Sequence, residues 1–163
     1  MKESFSQRSR IYHEALPKLL SLIDGEWDPV LRMASFSSLL FHACEWVSWC
    51  GFYRREGREL VVGPYVGKPA CVRIPFNRGV CGDAASRGKP CIVSDVHAFD
   101  EHIACDPESR SELVIPVFGL DGEIEGVLDL DSMELAAFSA EDAAVLTQWI
   151  ETVFPRGGVA IRK

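Results

Sequence analysis

The chain has 163 residues and a formal net charge of −7, with 47% hydrophobic and 25% charged residues; these values fit a single folded domain over 1–163 and exclude a disordered class. No run approaches the roughly 18 uninterrupted apolar residues a spanning helix needs, and the scattered Lys and Arg residues of an acidic chain offer no electrostatic footprint for nucleic acid. Residues 1–10 lack the apolar stretch of a signal peptide, so a cytoplasmic address is expected, where six cysteines read as structural thiols, metal ligands or catalytic groups.

Residues 11–23 carry Ile11, Leu16, Leu19, Leu20 and Ile23, an apolar stripe at helical spacing that Pro17 disturbs locally. After the turn at Gly25, Asp28 and Pro29 form an N-cap and first-turn proline, and Val30, Met33, Phe36, Leu40 and Phe41 continue a second helix to about Cys44. From Trp46 the period shifts towards two, predicting a strand to Tyr53, a hairpin turn over 54–57 and a return strand from Glu59 to Val62. Short extended segments follow at 70–74, 90–93, 112–118 and 123–130, with a short helix entered through Gly79. Ser139 and Asp142 give the capping-box signal for a last helix through Val145, Trp149 and Val153. Helices at both ends of a mostly antiparallel sheet predict an α+β sandwich. Residues 95–111 show no regular period, and an irregular segment of that length inside a compact domain is expected to be functional; Phe99, Ile103 and Cys105 suggest that it packs as a lid.

The chemistry-bearing residues gather in the same part of the chain. Cys71, Cys81 and Cys105 fall between Gly67 and Ser111, and Cys105 shares its loop with His97, His102 and several acids. A cysteine with a nearby base or cation is a candidate nucleophile. His97, His102, Cys105 and one further cysteine have ligand types that suit zinc, but their spacing matches no common structural zinc pattern, and no metal ligand is assigned. Asp129 and Asp131 alternate with Leu128 and Leu130, so both carboxylates leave one face of a strand about 7 Å apart. Periodicity alone fits a solvated acidic face backed by an apolar one.

Taken together, the segments at 67–75, 78–82, 95–99, 102–106 and 109–112 resemble those of the free methionine-(R)-sulfoxide reductases, a family of single GAF domains. The spacings of 10 and 24 residues between the three cysteines agree with that family, as do Gly25, Glu26 and Asp28, the stretch 49–53, and Gly126 to Ser132 near the end. The resemblance spans about Tyr12 to Val153. It implies a GAF-like antiparallel sheet with the terminal helices on one face and a loop-covered ligand pocket on the other. In that arrangement the leucines of 128–131 meet the helices and the aspartates line the pocket.

By position, the resemblance makes Cys105 the catalytic cysteine, Cys71 a resolving cysteine and Cys81 a second thiol able to take part in exchange. It makes Glu112, Asp129 and Asp131 the acids that hold the substrate and Trp49 a wall of the pocket. The implied activity is reduction of free methionine (R)-sulfoxide by thiolate attack, sulfenic acid formation and disulfide exchange, with thioredoxin as reductant, no cofactor, and a homodimer as the family tendency. Backbone N–H groups at 103–106 are candidate partners for the substrate carboxylate. Cys50 and Asp83 depart from the family pattern, and Cys44 and Cys91 look like extras. The competing expectation is a non-catalytic GAF sensor of a small ligand or of redox state; sensors usually sit beside an output domain, for which 163 residues leave no room.

Overall fold

The computed structural model describes residues 5–100, 105–156 and 160–162. Helices α1 (Phe5–Leu22) and α2 (Pro29–Ala43) precede a hairpin of β1 (Trp49–Glu56) and β2 (Glu59–Val66), and β3 (Arg73–Pro75) leads into helix α3 (Gly79–Arg87). Strand β4 (Cys91–Val93), a single 3₁₀ turn at Val96–Ala98, strands β5 (Ser111–Phe118) and β6 (Ile124–Ser132), and helix α4 (Ala140–Val153) follow. The six strands form one sheet in the order β3-β2-β1-β6-β5-β4, with every neighbouring pair antiparallel. This is the expected α+β architecture.

Alternation along β1, β5 and β6 divides the protein into two layers. Cys50 and Phe52, Leu113, Ile115 and Val117, and Leu128 and Leu130 face α1, α2 and α4, and form the main core with Met33, Phe36, Leu40, Leu146, Trp149 and Val153. Trp49, Tyr53, Val114 and Val127 point the other way, against Ile74 and the α3 residues Val80, Cys81, Ala84 and Ala85. Both faces of β5 and β6 are therefore covered, and these strands are buried along nearly their whole length.

The helix ends follow local chemistry. Asp28 accepts from the Leu31 N–H at 2.9 Å and Pro29 fills the first helical position, so α2 starts where the sequence indicates. Ser139 and Asp142 form a complete capping box at α4. Asp142 also ties the N-terminal helix to this corner: its carboxylate, 0% exposed, accepts from Arg8 at 3.1 Å and from the Tyr12 hydroxyl at 2.8 Å. The buried carboxylate is tolerated because each of its oxygens has a donor.

Three local expectations shift. Helix α1 begins at Phe5 and runs through Pro17, and its buried stripe is Tyr12, Ala15 and Leu19, continued by Ile23 just past its end, with Leu20 turned to solvent. Strand β1 begins at Trp49; Trp46 and Val47 precede it and bury their side chains in the helix-side core, which produced their strand-like pattern. Among its described residues, segment 95–111 contains one 3₁₀ turn, capped by Asp95 accepting from the His97 N–H at 3.1 Å.

Candidate active site

Strand register builds the floor of a cavity on the sheet face away from the terminal helices. Trp49 of β1 pairs with Asp131 of β6, and Asp131 pairs with Glu112 of β5, so three side chains form one row across the sheet. The next row on the same face is Gly51, Asp129 and Val114. A Cβ on Gly51 would lie 2.3 Å from Tyr65 Cβ and 2.7 Å from the Trp49 ring. Glycine here is what lets that indole lie flat against the strand. The ring stacks on Tyr53 and Tyr65, with centroids 6.0 and 5.2 Å away.

The aromatic pair also holds down the roof. Trp49 Nε1 donates to the Lys68 carbonyl at 3.1 Å, and the Tyr53 hydroxyl donates to the Cys71 carbonyl at 3.0 Å. Gly67 passes over the indole at φ 135°, a conformation that favours glycine. Thus fixed, segment 67–72 meets the loop carrying Cys105, and Cys71 and Cys105 are joined by a disulfide with Cα atoms 5.4 Å apart. Lys68 adds ion pairs to Asp106, at 3.3 Å, and to Glu108.

Beneath this roof sit three carboxyl groups and a thiol. Cys81, in the first turn of α3, is 3% exposed and its Sγ lies 3.8 Å from Glu112 Oε1. Glu112 and Asp129 are 7% and 6% exposed, and Asp129 Oδ1 finds no hydrogen-bond partner among the described residues. Burial, then the charges of Asp129 and Asp131, push the Glu112 carboxyl well above its ordinary range, and burial with the Asp129 charge does the same to Asp131. Burial raises Asp129 to about 7, against the lowering effect of hydrogen bonds with Cys81 and Glu112. Burial, Asp129 and Glu112 push the Cys81 thiol up. Carboxyl groups this close, in a site this enclosed, resist ionising together, which favours the protonated form of part of the cluster. A store of protons beside a redox-active sulfur pair suits general acid chemistry on a bound oxygen.

Comparison with known proteins shows the family. The family model for the GAF domain matches residues 36–153. The free methionine-R-sulfoxide reductase of Escherichia coli is 45% identical over 130 residues, covering 80% of this chain and 78% of that protein. The Saccharomyces cerevisiae enzyme of the same name is 38% identical over 146 residues, covering 85% and 81%. The X-ray structure of the Neisseria meningitidis free methionine-R-sulfoxide reductase in complex with its substrate matches with a TM-score of 0.86 at 42% identity, covering 90% of this chain and 87% of that one.

The chain belongs to the free methionine-R-sulfoxide reductase family of GAF domains.

Within this family fold, the seven residues singled out from sequence come together. Trp49, Cys81, Cys105, Glu112, Asp129 and Asp131 line the cavity, and Cys71 is bonded to Cys105 at its edge. Sequence reasoning passed over Tyr53 and Lys68, which also line it; Tyr53 follows Trp49 and Gly51 at period two, a signal that was present. His97 is exposed and lies outside the cavity lining. Cys105 is bonded to Cys71 in this structure, so in the disulfide form its sulfur is not a free thiolate for a metal. His102 and the backbone N–H groups of residues 103 and 104 fall outside the described residues. Cys44 and Cys50 belong to the core on the opposite side of the sheet, and Cys91 lies half-buried on β4. Among the described residues, no helix is long and apolar enough to cross a membrane.

Proposed function

We propose that this protein reduces free L-methionine (R)-sulfoxide to L-methionine, with Cys105 as the attacking sulfur. The observation that carries the reading is the Cys71–Cys105 disulfide at the edge of a cavity floored by the buried carboxyl groups of Glu112 and Asp129 and the half-buried one of Asp131. In the reduced protein the Cys105 thiolate attacks the sulfoxide sulfur, while a protonated carboxyl of the Glu112, Asp129 and Asp131 cluster gives its proton to the oxygen. The S–S and S–O bonds of this adduct then break as the hydroxyl passes to the Cys105 sulfur, leaving Cys105 as sulfenic acid and releasing methionine with its sulfur lone pair restored. The Cys71 thiol then displaces water from that sulfenic acid and forms the disulfide. A dithiol protein such as thioredoxin, in the cytoplasm, exchanges with this disulfide and returns both thiols.

The remaining groups account for recognition. The ionised members of the cluster bind the α-ammonium group, and Trp49 faces the thioether end, where sulfur packs well against an aromatic ring. Enclosure excludes a peptide-bound methionine, which lacks both free termini. Cys81 lies against Glu112 and is outside the bonded pair, so its part in exchange comes after Cys71.

The test is a choice between epimers. With dithiothreitol or a thioredoxin system, the purified protein is expected to consume free methionine (R)-sulfoxide and leave the S form and N-acetylated or peptide sulfoxides untouched, as read by chromatography of released methionine. Equal rates on both epimers, or binding with no turnover as in a sensor, would overturn the reading.

A further inference from the structure

Within the cavity, the Cys81 thiol, one Glu112 oxygen and one Asp129 oxygen all lie within 4.8 Å of one another. The Cys81 Sγ to Glu112 Oε1 separation is 3.8 Å. A tetrahedral zinc ion with Zn–S near 2.3 Å and Zn–O near 2.0 Å spaces its sulfur and oxygen ligands by about 3.5 Å. That pair needs a few tenths of an ångström of contraction, and the separations to the Asp129 oxygen, within 4.8 Å, need up to about 1.5 Å. All three residues are more than nine-tenths buried, and Asp129 Oδ1 is the buried oxygen that finds no hydrogen-bond partner among the described residues.

We propose that Cys81, Glu112 and Asp129 form a binding site for a zinc ion, with the fourth coordination position open to the cavity. Each ligand stands on a rigid element: Glu112 on β5, Asp129 on the hydrogen-bonded neighbour β6, and Cys81 on α3, which packs across both strands. One thiolate and two carboxylates form a mixed donor set that fits borderline zinc. Calcium and magnesium take six or more oxygen donors and are poorly matched by sulfur. Three protein ligands with one open position is the arrangement of zinc sites that exchange a water or a small ligand. The disulfide leaves these residues untouched, so the site exists in the oxidised protein.

A consequence rests on the reductase reading: a zinc ion on Glu112 and Asp129 removes both carboxyl groups from the sulfoxide and its ammonium group. Zinc is then an inhibitor competitive with substrate.

The test uses the full protein with the Cys71–Cys105 disulfide intact, so that those sulfurs cannot bind metal. Titration with cobalt(II) is expected to give one equivalent of binding with a thiolate-to-cobalt charge-transfer band in the near ultraviolet, displaced by one equivalent of zinc. Cys81→Ser is expected to abolish the band, and Asp129→Asn to weaken zinc binding by about tenfold or more with the fold intact by circular dichroism; Cys91→Ser changes neither. Absence of the band, a band that survives Cys81→Ser, or unaltered zinc affinity in Asp129→Asn would overturn the site. A cobalt band that follows Cys81 supports the site even in a protein that turns over no sulfoxide, so failure of the reductase reading is told apart from failure of this one.

Discussion

Cys105→Ser is expected to lose roughly 10⁴-fold or more in turnover of free methionine (R)-sulfoxide with dithiothreitol. A serine hydroxyl stays protonated where a thiol ionises, and oxygen cannot take up the sulfoxide oxygen as a sulfenic acid, so attack and oxygen transfer are lost together. The disulfide at this position is absent from the reduced protein in which turnover begins. Circular dichroism and thermal unfolding under reducing conditions should therefore match the unaltered protein closely. Cys91→Ser, on β4 and outside the cavity lining, is expected to keep full activity under the same assay. A Cys105→Ser variant retaining a tenth or more of the original rate would remove position 105 from the chemistry.

Asp129→Asn is expected to move stability and activity in opposite directions. The carboxyl of Asp129 is raised from 3.8 to about 7 in the folded protein, first by burial. Folding favours its protonated form, so this group's contribution to stability is fully present below about pH 4 and is lost as pH rises through about 7. Asparagine carries no charge at any pH. The substitution should therefore gain about 1–3 kcal/mol against urea at pH 8 and next to nothing at pH 4. Turnover should fall by about 10²-fold, the scale of a lost acid or of a lost partner to a charged substrate group. Urea unfolding of the reduced protein at the two pH values, beside initial rates, checks both halves. Equal stability at pH 8, or a loss there, would contradict a raised Asp129 carboxyl in the folded protein.

Much of the architecture was legible because short-range chemistry dictates it. Asp28 with Pro29 and Ser139 with Asp142 are cap signals whose partners lie three residues on, and the helices begin where they indicate. The alternation of Leu128, Asp129, Leu130 and Asp131 fixed two faces, but not which of them met water. Only coverage of both faces, by the terminal helices on one side and by α3 with its flanking loops on the other, buries Asp129 and half-buries Asp131. That coverage entered the sequence reading through the family resemblance.

Less legible was whatever depends on register between distant segments. The row of Trp49, Asp131 and Glu112 requires three strands aligned to the residue, and the mutual raising of the carboxyl groups exists only once they are adjacent. The pairing of Cys71 with Cys105 belongs to the same class, since the thiols lie 34 residues apart and meet because Trp49 and Tyr53 bond the backbone of segment 67–72 from below. Trp46 misled as a strand residue because an aromatic ring buried before a strand has the same local pattern as one within it.

The most direct measurement is a single turnover by the Cys71→Ser variant. Removing the resolving thiol should leave the first half of the reaction intact and trap its product. Mixed with one equivalent of free methionine (R)-sulfoxide and then with dimedone, the variant is expected to release close to one methionine per chain and to carry the dimedone adduct on Cys105, as read by peptide mass spectrometry. An adduct on Cys81, or methionine released with Cys105 unmodified, would contradict the assignment of Cys105 as the sulfur that takes the oxygen.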